Sequence, residues 1–188
     1  MKVEELFKIL LTGKPSIELI NNEEELFKLI PELRKCKNFN QNNEWHPYDV
    51  LEHIYHVLDN VDNNLTIRLA ALFHDIGKPI SYKEDENGVG HFYGHWIESM
   101  IIFDRFAGKY NLDKKMADLV SHLIYYHDIN VDKMNEIEKD MMHSKFGLHG
   151  IKMLYQLKKA DLLAQNEKYH YILDDLDKQK HKELAKYK

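Results

Sequence analysis

Phe73-His74-Asp75-Ile76-Gly77-Lys78-Pro79 sets an imidazole and a carboxylate side by side where an apolar run meets a glycine. Such a pair offers one nitrogen and one oxygen to a single point, which suits a divalent cation of hard to borderline character. Further donors lie along the chain: there are 12 histidines, eight of them between His46 and His127. Which of them can join a shared site depends on the helix faces that carry them.

His53 shares a face with Val50, Ile54, Val57 and Val61 by three-and-four spacing, so it points inward. His56 lines up instead with Asp49, Glu52, Asp59 and Asn60 and reads as solvated. His74 aligns with Ile67, Ala70 and Ala71. Two inward histidines on neighbouring helices need partners, because a buried imidazole nitrogen costs free energy unless bonded. A backbone carbonyl would satisfy one alone; the adjacent Asp75 and the following Gly77-Lys78 favour metal ligation. Asp161 sits on a stripe with Leu154, Leu157, Ala160 and Ala164, where a carboxylate needs a cation, a salt bridge or a cap. Spacing alone does not choose among these. Asp128, Asp132 and Asp140 lie in more polar runs and are weaker candidates.

His95 aligns with Ser99, Ile102 and Phe106, and His127 with Met116, Val120, Leu123 and Ile124, so both face inward. His122 shares a side with Lys115 and Asp118 and reads as surface. His91, at the end of an irregular segment, either lines a site mouth or has no role. Lys78, one residue past a helix end, either complements the helix dipole or neutralises a substrate phosphate beside a metal.

The elements that must position these residues are almost all helical, since glycine and proline are scarce and three-and-four periodicity dominates. The spacing predicts helices over 2–12, 23–30, a short piece from Pro31, then 48–60, 65–76, 93–108, 113–127, 136–145, 148–165 and 167–186. Residues 37–46 read as polar loop and 79–91 as the longest irregular segment. The expected fold is an all-α bundle in one domain over 1–188. Residues 1–45 form an N-terminal helical segment packed on a metal-site core over 46–165, and 166–188 form a C-terminal helix or tail.

A chain of 188 residues with 44% apolar and 30% charged residues is long enough for a sizeable core. Its formal charge of −5 argues against nucleic-acid binding by bulk charge. The basic tail Lys178 to Lys188 could touch RNA, although a solvated helix end favoured by its own dipole is the better explanation. No apolar run approaches membrane length, Cys36 has no partner for a disulfide, and the start Met1-Lys2-Val3-Glu4-Glu5 places acids where a secretory signal needs a long apolar stretch. The expected setting is the cytoplasm, without membrane association.

His53, His74-Asp75 and Asp161, taken in order, resemble the H…HD…D signature of HD-domain metal-dependent phosphohydrolases. Asp49-Val50-Leu51-Glu52-His53, His74 to Pro79, His91-Phe92-Tyr93-Gly94-His95, Leu123 to His127 and Ala160-Asp161 are similar, more narrowly, to the HD domain attached to bacterial CCA-adding tRNA nucleotidyltransferases. The likeness runs from about residue 2 to 165. The glycine-rich nucleotide-binding head of those enzymes has no counterpart here, so a stand-alone HD phosphohydrolase is expected rather than nucleotidyl transfer.

The resemblance implies a divalent ion (Mn, Mg, Ni, Co, Fe or Zn) held by His53, His74, Asp75 and Asp161. It also implies a second ion bridged by Asp75 and held by His95 and His127, making one or two ions per chain. Without the second, those histidines would serve as phosphate clamps or a leaving-group acid. The implied substrate is a small phosphate ester of nucleotide type, a monoester or cyclic diester, with Asp75, Lys78, His95 and His127 catalytic and Lys78 and His91 contacting substrate. A metal-dependent nucleotide or tRNA-end binding module without turnover is the alternative. Trp45, Tyr93, Trp96 and Tyr126 stand near the site in sequence, as base-stacking surfaces or as packing.

Overall fold

The computed structural model describes residues 1–187; Lys188, the last residue of the basic tail, lies outside them. The architecture is an all-α bundle, as the periodicity predicts. Four helices open the chain: α1 (Val3–Leu10), α2 (Pro15–Asn21), α3 (Glu23–Leu29) and α4 (Glu32–Cys36). The central helices are α5 (Val50–Asp59), α6 (Leu65–Phe73), α8 (His95–Lys109), α9 (Lys114–Tyr126) and α10 (Glu136–Leu163), and α11 (Leu173–Ala185) closes the chain. Between α6 and α8 lie a single-turn helix, α7 (Lys78–Ser81), and two short antiparallel strands, β1 (Lys83–Glu84) and β2 (Gly90–His91).

Side-chain caps set several of these starts. Asp49 Oδ1 accepts from the Glu52 N–H at 2.8 Å while Glu52 reaches back to the Asp49 N–H, a reciprocal pair that fixes α5. Asn64 caps α6, Asp113 caps α9, and Asn135 with Glu138 repeats the reciprocal pair at α10. Helix α6 is largely apolar and lies at the centre, packed on α5, α8, α9 and α10, and its one charge, the buried Arg68, donates from Nε to the Asp62 carbonyl. Leu6, Leu19 and Leu26 of the N-terminal helices join the same fully buried cluster as Ile54, Leu69, Phe73, Leu123 and Leu154.

Three expectations need correction. The stretch between the first two expected helices contains α2, with Pro15 at its first turn, where the missing N–H is no loss. The segment 79–91 is not irregular throughout: α7 and the hairpin occupy it. Asp85 Oδ1 accepts from the N–H groups of Asn87 and Val89, and Gly88 takes φ +77° to turn the chain. Residues 167–186 are not one helix, because a 3₁₀ segment over Glu167–Ile172 precedes α11. The expected division of 136–165 into two helices holds, since Gly147 breaks α10 with φ 56° and ψ −175°.

Candidate metal centre

The six histidine and aspartate side chains singled out from the sequence come together at one end of α6. His53 projects from the middle of α5, while His74 and His127 are the residues that end α6 and α9. His95 opens α8, and Asp161 lies in the last turn of α10. Three helix C-termini therefore meet near one point, and their carbonyl ends favour a cation there.

Asp75 is the hub. Its Oδ2 lies 3.2 Å from His53 Nε2 and 3.3 Å from His74 Nε2, and Asp161 Oδ1 lies 3.0 Å from His53 Nε2. The other oxygen, Oδ1, lies 3.1 Å from His95 Nε2 and 3.5 Å from His127 Nε2. Each oxygen thus faces its own pair of imidazoles. The ligand atoms of His53, His74, Asp75 and Asp161 are mutually close enough to hold one metal ion, as are those of Asp75, His95 and His127.

Hydrogen bonding at the far side of each ring decides what the near side offers. His74 Nδ1 is 2.8 Å from the Ala71 carbonyl, His95 Nδ1 2.9 Å from that of Phe92, and His127 Nδ1 2.7 Å from that of Ile124. A carbonyl can only accept, so each Nδ1 carries a proton, and in the neutral ring each Nε2 presents a lone pair. His95 Nε2 and His127 Nε2 then face each other at 3.2 Å, with the Asp75 carboxylate completing a triangle of acceptors. Burial pushes the His127 pKa down, which favours its neutral form. A divalent cation would satisfy the triangle, and the all-nitrogen-and-oxygen donor set fits one.

The remaining electrostatics agree. Burial opposes charge on Asp75, yet the His74 imidazole and the Lys78 ammonium hold its carboxyl well below the usual range. Burial likewise opposes charge on Asp161, but His53 outweighs it and keeps the carboxyl low. At His53, burial is outweighed by the contacts with Asp161 and Asp75, and its pKa is raised. Asp161 has 14% of its side chain exposed, against none for His53 and His74, because this side of the cluster opens to solvent.

The opening is a cleft of about 210 Å³ whose lining includes Asp75, Lys78, His91, Tyr93, His95, Trp96, His127 and Asp161. Lys78 is buried; its Nζ stands 2.6 Å from Asp75 Oδ2 and donates to Gln41 Oε1 at 2.8 Å. His91 sits at the rim, paired with Asp85 at 3.1 Å and stacked on the exposed ring of Tyr93. His56 is exposed and lies against Tyr48, and His122 contacts Lys145, both away from the cleft. Trp45 stacks on Tyr169 and Tyr126 packs on Phe146, so these two aromatics serve packing.

Four participants lie outside the residues that the sequence reading singled out. His46 lines the cleft with a buried Nδ1 that has no partner, and burial pushes its pKa down to about 2. Gln165 also lines it, and its Nε2 lies 3.4 Å from Asp161 Oδ1. Gln41, fully buried, anchors Lys78 and donates from Nε2 to the Tyr48 carbonyl. Lys158 Nζ donates to the carbonyls of His127 and Ile129 at 2.6 and 2.8 Å, tying α10 to the end of α9. Lys158 shares a face with Leu154 and Asp161, a legible sign that it turns inward.

Comparison with known proteins places this geometry in context. The HD domain family model matches residues 45–179. A curated relative, the multifunctional CCA protein of Shewanella frigidimarina, is 26% identical over 122 residues. That match covers 62% of this chain but 29% of the relative, so the chain spans under a third of the relative's length. No helix among the described residues is long and apolar enough to cross a membrane.

Proposed function

This chain belongs to the HD-domain family, and on that premise we propose that it is a metal-dependent phosphohydrolase acting on a small, nucleotide-like phosphate ester. The observation that carries the reading is the double-faced Asp75, with its two oxygens turned to two pairs of buried imidazoles at the floor of an open cleft. His53, His74, Asp161 and Asp75 Oδ2 would hold one ion, and Asp75 Oδ1, His95 and His127 a second. Divalent cations bound there supply Lewis acidity, which activates water near neutral pH and takes up charge on phosphoryl oxygens.

The chain's own residues would do the rest. Lys78 balances the charge of Asp75 and, with Gln41 behind it, fixes the carboxylate's orientation. His46 is neutral, because burial pushes its pKa down, and its ring forms part of the cleft wall. His91 at the rim can donate to an outer phosphate oxygen. Tyr93 and Trp96 offer flat surfaces beside the opening. A cleft of about 210 Å³ accepts a phosphate group and part of a sugar, which favours a monoester or a cyclic diester over a duplex nucleic acid.

The test is hydrolysis of 5′-, 3′- and 2′-nucleotides, 2′,3′-cyclic nucleotides and an aryl phosphate by the metal-loaded protein, against Asp75→Ala. Turnover that disappears in the variant supports the proposal and identifies the ester class. Tight metal binding with no turnover of any substrate would overturn it in favour of a binding module.

A further inference from the structure

The molecule has a larger cavity than its metal cleft, about 640 Å³ against about 210 Å³. It lies between α10 and α11 and reaches the start of α6. Its α10 wall includes Lys152, nine residues before Asp161; at about 100° per residue the two stand on opposite sides of that helix. The cavity is therefore separate from the metal site.

Its floor is apolar, built by Ile67, Met153 and Leu184, with Tyr155 beside them. The Tyr155 hydroxyl is buried with no hydrogen-bond partner. Around this floor stand His149, Lys152, Lys159 and Lys180, with Asp62 as the one carboxylate in the wall.

The pairing of lysines makes this arrangement informative. In the basic tail, Lys178 is 2.8 Å from Asp175, Lys182 3.6 Å from Asp132 and Lys186 3.7 Å from Glu183. Lys159 approaches Asp177 at 3.7 Å. Among the described residues, Lys180 and Lys152 form no such ion pair, and both face the cavity. In a chain of net charge −5, two unpaired ammonium groups line one concave, partly apolar wall. Walls of low dielectric concentrate their field and favour an anion there.

We propose that this cavity binds a small phosphorylated molecule of nucleotide size, with its phosphate between Lys152 and Lys180 and its uncharged body on the apolar floor. The volume falls in the range of single-ligand pockets. An RNA backbone would need an extended basic stripe, and the tail's other described lysines at 178, 182 and 186 already have carboxylate partners.

The experiment is calorimetric titration of the full chain with ADP and with inorganic pyrophosphate. It compares wild type, Asp75→Ala, the double variant Lys152→Glu/Lys180→Glu, and Lys178→Glu/Lys182→Glu, which changes net charge equally at paired lysines. The proposal expects an ADP site that is present in wild type, persists in Asp75→Ala and holds ADP more tightly than pyrophosphate. It expects Lys152→Glu/Lys180→Glu to weaken ADP at least about tenfold and Lys178→Glu/Lys182→Glu to change it by less than about threefold. Thermal melts check folding, and Lys152→Ala/Lys180→Ala should weaken binding in the same direction. The proposal is overturned by no ADP binding at millimolar concentration, by loss in Asp75→Ala with retention in Lys152→Glu/Lys180→Glu, or by equal loss in both charge-reversed pairs. An RNA hairpin that binds where ADP does not would also overturn it.

Discussion

Gly77→Ala tests how tightly the two halves of the centre are registered. Gly77 has φ −81°, open to any residue, so what it supplies is space. A Cβ there would stand 2.6 Å from the His95 carbonyl oxygen and 2.6 Å from the Ser99 nitrogen, both main-chain atoms of α8. Ordinary contact begins at 3.4 Å, so the first turn of α8 must retreat by about 0.8 Å. His95 opens that turn and lies 3.1 Å from Asp75, and the Gly77 N–H also donates to the buried Ser99 Oγ at 2.9 Å. A retreat of that size exceeds the roughly 0.5 Å within which a ligand constellation must be held. Overpacking of this kind costs about 1–3 kcal/mol, and each kcal/mol lowers Tm by about 2–4 °C in a domain of this size. We expect Gly77→Ala to melt about 2–12 °C lower and to lose the ion held by His95 and His127 while keeping the one at His53 and His74. Thermal denaturation and elemental metal analysis read both effects. Gly108→Ala, within α8 itself, meets no atom within 4 Å and is the control. A Gly77→Ala protein with wild-type Tm and metal content would refute the reasoning.

Three further outcomes are expected. Lys158→Met removes the donor to the His127 and Ile129 carbonyls and should destabilise the protein by about 1–3 kcal/mol in denaturant titration; an unchanged midpoint would contradict this. Cys36 is fully buried and burial raises its thiol pKa, so almost no thiolate exists at pH 8. An aromatic disulfide reagent should leave it unlabelled until the protein unfolds, and rapid native labelling would count against the packing. His53 must lose its proton to ligate, and its raised pKa makes protons stronger competitors. Metal affinity should therefore fall at least about tenfold from pH 8 to pH 6, with proton release seen by calorimetry in two buffers. A pH-independent affinity would remove His53 from the ligand set.

Much of this architecture is legible in the residue order. His53, His74 and Asp161 betray themselves as polar groups on apolar helical stripes, and a helix periodicity fixes direction as well as type. Other features had local signals: Pro15 at a helix start, the Asp85-to-Gly88 turn, and the Leu154–Lys158–Asp161 face. Gln41 had none. It lies in the polar run Asn38 to Asn43, and its burial follows from Lys78, 37 residues later, needing an acceptor in the core. His46 is similar, since its place on the cleft wall depends on its loop's main-chain link to Asn166, where the Asn166 N–H donates to the Trp45 carbonyl. Such pairings between distant segments carry no periodicity.

The central claim is an Asp75-bridged pair of metal sites, and counting metal tests it most directly. Elemental analysis of the purified chain after loading and desalting should give two divalent ions in wild type and one in His95→Ala/His127→Ala. Asp75→Ala should retain neither at stoichiometric occupancy. A wild-type chain that retains no ion, or a count unchanged by His95→Ala/His127→Ala, would contradict the account.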